Sequence, residues 1–128
     1  MENQSVRVLV VDDEEDLCWL IGKALRPTGF EVKCAKSGEQ ALSCLVEKNF
    51  QAAFVDAKIP DMDGLSLAAL IRQRSPETKI ILISGYFYLE DKAIVEGFKN
   101  NLFIGFIAKP FDLSEVRRMA FLAVESDR

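Results

Sequence analysis

The sequence of 128 residues predicts an α/β fold, a parallel five-stranded sheet with helices on both faces. Three observations lead there. Five strand-sized apolar runs alternate with segments of helical periodicity. The runs at 6–11 and 79–83 are almost wholly Val, Ile and Leu, the pattern of strands covered on both faces. No repeat, linker or low-complexity tract interrupts the alternation, so βα units succeed one another as a parallel sheet requires.

The elements follow in order. Residues 6–11 form the first strand and end on Asp12 and Asp13. Glu14, Glu15 and Asp16 supply first-turn acids to a helix whose apolar positions Leu17, Leu20, Ile21 and Ala24 recur at helical spacing, stopping near Pro27-Thr28-Gly29. Residues 30–35 make the second strand. Ser37 caps a second helix with Ala41, Cys44 and Leu45 inward, closed by Lys48-Asn49. The third strand, 51–56, delivers Asp56 to a loop running from Lys58 to Gly64. Leu67, Leu70 and Ile71 mark the third helix, ended by Ser75-Pro76. The fourth strand is 79–83, giving way at Ser84-Gly85. A helix with soft boundaries is expected within 86–101, since Gly97 costs about 1 kcal/mol against Ala. Residues 102–107 are expected as the fifth strand. Asp112 and Glu115 then form an Asp version of a capping box for a last helix using Leu113, Val116, Ala120 and Val124.

Composition narrows the function. At 49% hydrophobic and 28% charged, the chain fits one domain, 1–128 with a core at about 6–124 and no effector domain. Its net charge is −4 with scattered Lys and Arg, so direct nucleic-acid binding is not expected. The apolar runs are only strand-sized and the start is polar, which predicts a cytoplasmic protein without a membrane span. Cys18, Cys34 and Cys44 make an odd count with no Cys-x-x-Cys pair, so they are expected to pack as small apolar side chains. There is no histidine, which removes Ser-His-Asp and Cys-His catalysis and a phosphohistidine carried by this domain.

What remains is at the strand ends. In a parallel sheet the residues after strands one, three, four and five share one edge, where open α/β sheets place ligands. Asp12, Asp13, Asp56, Ser84 and Lys109 therefore converge. Singly, each could be a turn residue, a dipole complement or a solvated lysine. Together they put three carboxylates, a hydroxyl and an amine in one place. Crowded carboxylates either take up protons or hold a cation. With oxygen ligands alone the favoured ion is hard, and Mg²⁺ suits a shallow, water-rich site, with Mn²⁺ as a substitute. Asp56 is the expected nucleophile.

The acid pair Asp12-Asp13, Val55-Asp56 before Ile59-Pro60-Asp61-Met62-Asp63-Gly64, Ile83-Ser84-Gly85, and Ala108-Lys109-Pro110-Phe111 together resemble the receiver domain of bacterial two-component response regulators. The resemblance implies a flavodoxin-like doubly wound (βα)5 sandwich with strand order 2-1-3-4-5. It implies that Asp56 accepts a phosphoryl group from a histidine kinase, a phosphotransfer protein or a small acyl phosphate. Asp13, Asp56 and the backbone carbonyl of Lys58 would hold Mg²⁺, with Asp12 acting through water. Lys109 would neutralise a phosphoryl oxygen, and its bond to Pro110 would be cis. Ser84 would bond the phosphoryl group and draw its loop inward, making room for Phe106, which has no hydroxyl and would act by burial alone. The face of fourth helix, fifth strand and fifth helix would then meet a downstream protein target, as a monomer or a phosphorylation-dependent dimer. Lys58 and Tyr86 would tune the phosphorylated lifetime. The span from Ser84 to Lys109, 109 minus 84 or 25 positions, looks a few residues longer than is usual for the family.

Other classes fit less well. A phosphatase of the haloacid dehalogenase type would carry a second Asp two places after the nucleophile, where this chain has Lys58. Asp61-Met62-Asp63-Gly64 lacks the other ligands of a Ca²⁺ loop and reads as a tight turn. A phosphorylation-independent docking module is opposed by the presence of all five site residues.

Overall fold

The computed structural model describes residues 6–85 and 92–125. Its strands are β1 (Val6–Val11), β2 (Phe30–Ala35), β3 (Ala52–Asp56), β4 (Lys79–Ser84) and β5 (Gly105–Ala108). They form one sheet in the order β2-β1-β3-β4-β5, and every neighbouring pair is parallel. The helices are α1 (Glu15–Leu25), α2 (Gly38–Glu47), α3 (Gly64–Arg74), α4 (Lys92–Lys99) and α5 (Leu113–Glu125). The expected fold is the observed one.

Two cores explain why the strand sequences are apolar throughout. On one face Val8, Val10, Phe54, Ile81, Ile83 and Ile107 pack with Ile21 and Leu25 of α1 and Val116 and Ala120 of α5. On the other, Leu9, Val11, Ala53, Val55 and Leu82 meet Ala41, Leu67, Ile71 and Ile94 from α2, α3 and α4. Alternate residues of each strand thus enter opposite cores, and a polar side chain within a central strand would be buried on either face.

Helix ends follow the local chemistry. Ser37 Oγ accepts the Gln40 amide at 3.1 Å, and Asp63 Oδ1 accepts the Ser66 amide at 2.9 Å. The chain leaves α1 through a 3₁₀ turn at Arg26–Thr28, then Gly29 with φ 98°. At α5 the expected capping box is replaced by another arrangement. The Asp112 main-chain oxygen accepts the Glu115 amide at 3.1 Å, and its carboxylate takes the Ser114 hydroxyl at 3.3 Å. The cysteines are free thiols, with Cys18 buried and Cys34 and Cys44 half-buried. Among the described residues no helix is long and apolar enough to cross a membrane.

The fifth strand corrects the sequence reading. It begins at Gly105, not Leu102, because Leu102 and Phe103 finish α4 and only the Ile104 amide, bonded to Ile80 O at 2.8 Å, leads into the sheet. Asn101 takes a left-handed conformation with φ 59°. Its amide donates to Phe98 O at 3.1 Å and the Leu102 amide to Gly97 O at 2.8 Å, a Schellman ending. Phe103 then turns its ring into the core beside α4, 4.5 Å from the Phe98 ring and edge-on to it. An apolar run that reads as strand is spent on a helix cap and a core plug.

Gly97 is explained by the same packing. A Cβ there would lie 2.6 Å from the Phe103 ring, which is only 2% exposed. Helix propensity alone favours Ala by about 1 kcal/mol, whereas overpacking costs about 1–3 kcal/mol. Gly97→Ala is therefore expected to lower the urea midpoint of unfolding. An equal or higher midpoint would show that the ring yields freely.

Candidate functional site

The sheet carries its hydrogen bonding one residue past several strand ends, and this fixes the site. The Asp12 amide donates to Ala35 O at 3.0 Å, the Ala57 amide to Ile83 O at 2.8 Å and the Lys109 amide to Ser84 O at 2.8 Å. Asp12, Asp56, Ser84 and Lys109 are consequently held on one edge. Asp12 is wholly buried, and Asp56 and Ser84 are buried too, while Asp13 is exposed. The Lys109–Pro110 peptide bond is cis, as expected from the sequence.

Lys109 ties the acids together. Its Nζ donates to Asp56 Oδ2 at 2.9 Å, Asp12 Oδ2 at 3.2 Å and Glu14 Oε1 at 3.3 Å. The second oxygens are also used. Asp56 Oδ1 accepts the Lys58 amide at 3.0 Å, and Asp12 Oδ1 accepts the Glu14 amide at 2.8 Å. Carboxylate oxygens of Asp12, Asp13 and Asp56 lie within 4.8 Å of one another. An open depression of about 320 Å³ lies over them, lined by Asp13, Glu14, Asp56, Lys58, Ser84, Gly85 and Lys109.

Burial pushes the Asp12 carboxyl up to about 7, against the lowering effect of the Glu14 amide; neighbouring Asp56 raises it further, and Lys109 only partly compensates. Burial would lower the Lys109 ammonium, but the Asp56 and Asp12 carboxylates outweigh that and hold it above its ordinary value. The site is an excess of negative charge with one strongly held cation inside it.

The expected residues fall into groups. Asp12, Asp13, Asp56, Ser84 and Lys109 meet at one edge, and Lys58 lines the depression. Phe106 lies on the edge strand opposite Leu82, two rungs from the Ser84–Ala108 pair, and is half-buried against α4's side of the sheet. Tyr86 lies outside the described residues. The sequence reading missed Glu14, taken there as a helix-dipole acid. Its pairing with Lys109 joins positions 95 apart, and no local spacing signals it.

A parallel sheet in the order 2-1-3-4-5 with such an edge defines a class, the flavodoxin-like α/β domains that carry a site at the carboxyl ends of their strands. The comparisons agree: residues 8–121 match the family model "Response regulator receiver domain", and the chain belongs to this family of two-component signal transduction. The chain is similar to the DNA-binding transcriptional regulator NtrC of Salmonella typhimurium, 32% identical over 108 residues, 84% of this chain and 22% of that protein. A CheY-like receiver domain protein from Methanospirillum hungatei matches with TM-score 0.87 and 26% identity, covering 96% of each chain. The response regulator TrrA from Thermotoga maritima, solved in complex with Mg²⁺-BeF, matches with TM-score 0.79 and 28% identity over 92% of this chain and 98% of that one. The chain spans about a quarter of the length of the curated relatives it matches.

The Asp12 proton and an added divalent cation would compete for the same charge. In the metal-free protein ionising this buried acid costs stability progressively as pH rises from the ordinary 3.8 through about 7. Added Mg²⁺ would act in the opposite sense. The rise in thermal midpoint at a fixed Mg²⁺ concentration is expected to be larger at about pH 8 than at about pH 6. Equal rises at both would show that Asp12 does not exchange its proton in this range.

Proposed function

We propose that this receiver domain accepts a phosphoryl group on Asp56 from a phosphohistidine of a partner histidine kinase or phosphotransfer protein. One observation carries the reading: the Lys109 ammonium lies 2.9 Å from a buried Asp56 that shares its depression with the acids of β1's end. A carboxylate oxygen of Asp56 attacks phosphorus, the O–P bond forms, and the N–P bond of the donor breaks with its electron pair leaving on the imidazole nitrogen. The chain's task is alignment and charge compensation, which suffice for phosphoryl transfer.

The residues present fit Mg²⁺, since the donors facing the depression are oxygens and neither His nor Cys is among its lining residues. Asp13, Asp56 and the Lys58 carbonyl would hold the ion, Asp12 would act through water, and the ion would supply positive charge to offset the incoming phosphoryl oxygens. Mn²⁺ has the same ligand preference and would serve in its place. Lys109 would exchange part of its contact with Asp56 for a phosphoryl oxygen.

Ser84, at the end of β4, would donate its hydroxyl to the phosphoryl group. Phe106 would then shift from half-buried toward buried, and the face of α4, β5 and α5 would change for a downstream protein partner. The domain promotes its own phosphorylation and dephosphorylation and transforms no separate substrate. The reading places it in the cytoplasm, as one receiver unit whose output goes through protein contacts, as a monomer or as a dimer formed on phosphorylation.

Incubation with acetyl phosphate and Mg²⁺ is expected to add one base-labile phosphoryl mass to the wild type and none to Asp56→Asn; intact mass spectrometry reads the result. Addition to both proteins would remove Asp56 from its role. Lys58 lines the depression and Tyr86 follows Ser84-Gly85 in sequence. Lys58→Ala and Tyr86→Ala are expected to change the dephosphorylation rate several-fold. Rates equal to wild type would discard lifetime tuning by these positions.

A further inference from the structure

The loop leaving Asp56 is tied to a helix that the phosphoryl chemistry does not otherwise involve. Asp61 Oδ1 accepts the Gly38 amide at 2.9 Å, and its Oδ2 accepts the Glu39 amide at 3.1 Å. Gly38 and Glu39 open α2, where first-turn amides have no partner within the helix. The next amide, of Gln40, is taken by Ser37. One helix start is thus capped from two sources, its own Ser37 and an acid from the β3–α3 loop. Met62 reinforces the tie. A Cβ at position 38 would lie 2.7 Å from its Sδ and Cε, so the Met62 side chain rests directly on Gly38.

The inner part of the loop is anchored to β3 itself. Lys58 N–H bonds Asp56 Oδ1, Lys58 and Asp63 form an antiparallel bridge, and the Gly64 amide donates to Ala57 O at 2.8 Å. Gly64 has no room for a side chain, since a Cβ would stand 2.3 Å from the Asp56 carbonyl oxygen. The outer part has little burial to hold it. Pro60 and Asp61 are exposed and Met62 is half-buried, so beside Ile59 only the Met62 packing adds to the hold on this part. The two charge-assisted bonds from Asp61 are therefore a principal constraint on where this turn lies. The Gly38 amide, with that of Glu39, holds the Asp61 carboxyl below the usual carboxylate range, so it stays ionised at neutral pH.

We infer that Asp61 is a positioning residue, clamping the β3–α3 loop to the start of α2 so that the Lys58 backbone carbonyl is presented to the divalent cation beside Asp56. The inference rests on the Mg²⁺ site proposed above. It acts as groups behind metal ligands do, by fixing the ligand's orientation, and such partners typically account for about 10–100-fold in metal affinity.

The 128-residue chain, titrated with Mg²⁺ in a calorimeter alongside thermal unfolding, tests it. Asp61→Ala is expected to weaken Mg²⁺ about tenfold or more, and Asp61→Asn, keeping one acceptor oxygen, to fall between. Ser37→Ala supplies the control. It removes a cap from the same helix start without touching the loop, so it should lower the thermal midpoint while leaving Mg²⁺ affinity within about twofold of wild type. Wild-type affinity in Asp61→Ala, or equal weakening in Ser37→Ala, overturns the clamp while the site reading stands. Failure of the wild type to bind Mg²⁺ removes both.

Discussion

The placement of one ammonium among buried carboxylates governs this molecule. Around the depression are Asp12, Asp13, Glu14 and Asp56, against Lys58 and Lys109. Two positive charges do not balance four negative ones in a partly dry setting, and the Asp12 carboxyl is raised first by its burial and then by neighbouring Asp56. A phosphoryl donor, itself anionic, would be repelled by the same field. A divalent cation, as proposed above, would relieve that imbalance before any transfer. Lys109 offsets part of that charge, its Nζ lying 2.9 Å from Asp56 Oδ2 and 3.2 Å from Asp12 Oδ2.

The sheet makes so unfavourable a cluster tolerable. Both faces of β1, β3 and β4 are buried, so the strands have no freedom to slide or tilt in order to separate the acids. Main-chain bonds from Asp12, Ala57 and Lys109 extend this rigidity one step beyond the last paired residues. The remaining site groups, Asp13 and Lys58, are on connections and are more exposed. Acids and lysine are thus held rigidly at the strand ends, while more exposed groups stand on the loops, a division that would suit the transfer proposed above.

Much of this was legible in the sequence because the signals are local. Continuous apolar runs marked the strands, and all but the second ended on a residue whose chemistry could be named, so Asp12, Asp56, Ser84 and Lys109 could be gathered once a parallel sheet was accepted. What escaped was set by tertiary contacts. Residues 102 and 103 have the composition of a strand, but the Asn101 turn and the Phe103 ring take them for α4, and only at Ile104 does the chain bond β4, through Ile80 O. Glu14 looked like a helix-dipole acid because its partner lies at the far end of the chain. Asp61 read as part of a tight turn for a similar reason: the amides it caps precede it by more than 20 residues.

Gly97 and Phe103 also bear on how this chain could diverge. The ring occupies the volume that any side chain at 97 would need, so neither position is free to change size alone. A gain of bulk on the helix must be matched by a loss at the ring, and the two sites should drift as a compensated pair. Because that pair closes the helix beside the edge strand, a swap of volumes there would re-angle the surface of α4 and β5 while leaving the acid cluster untouched.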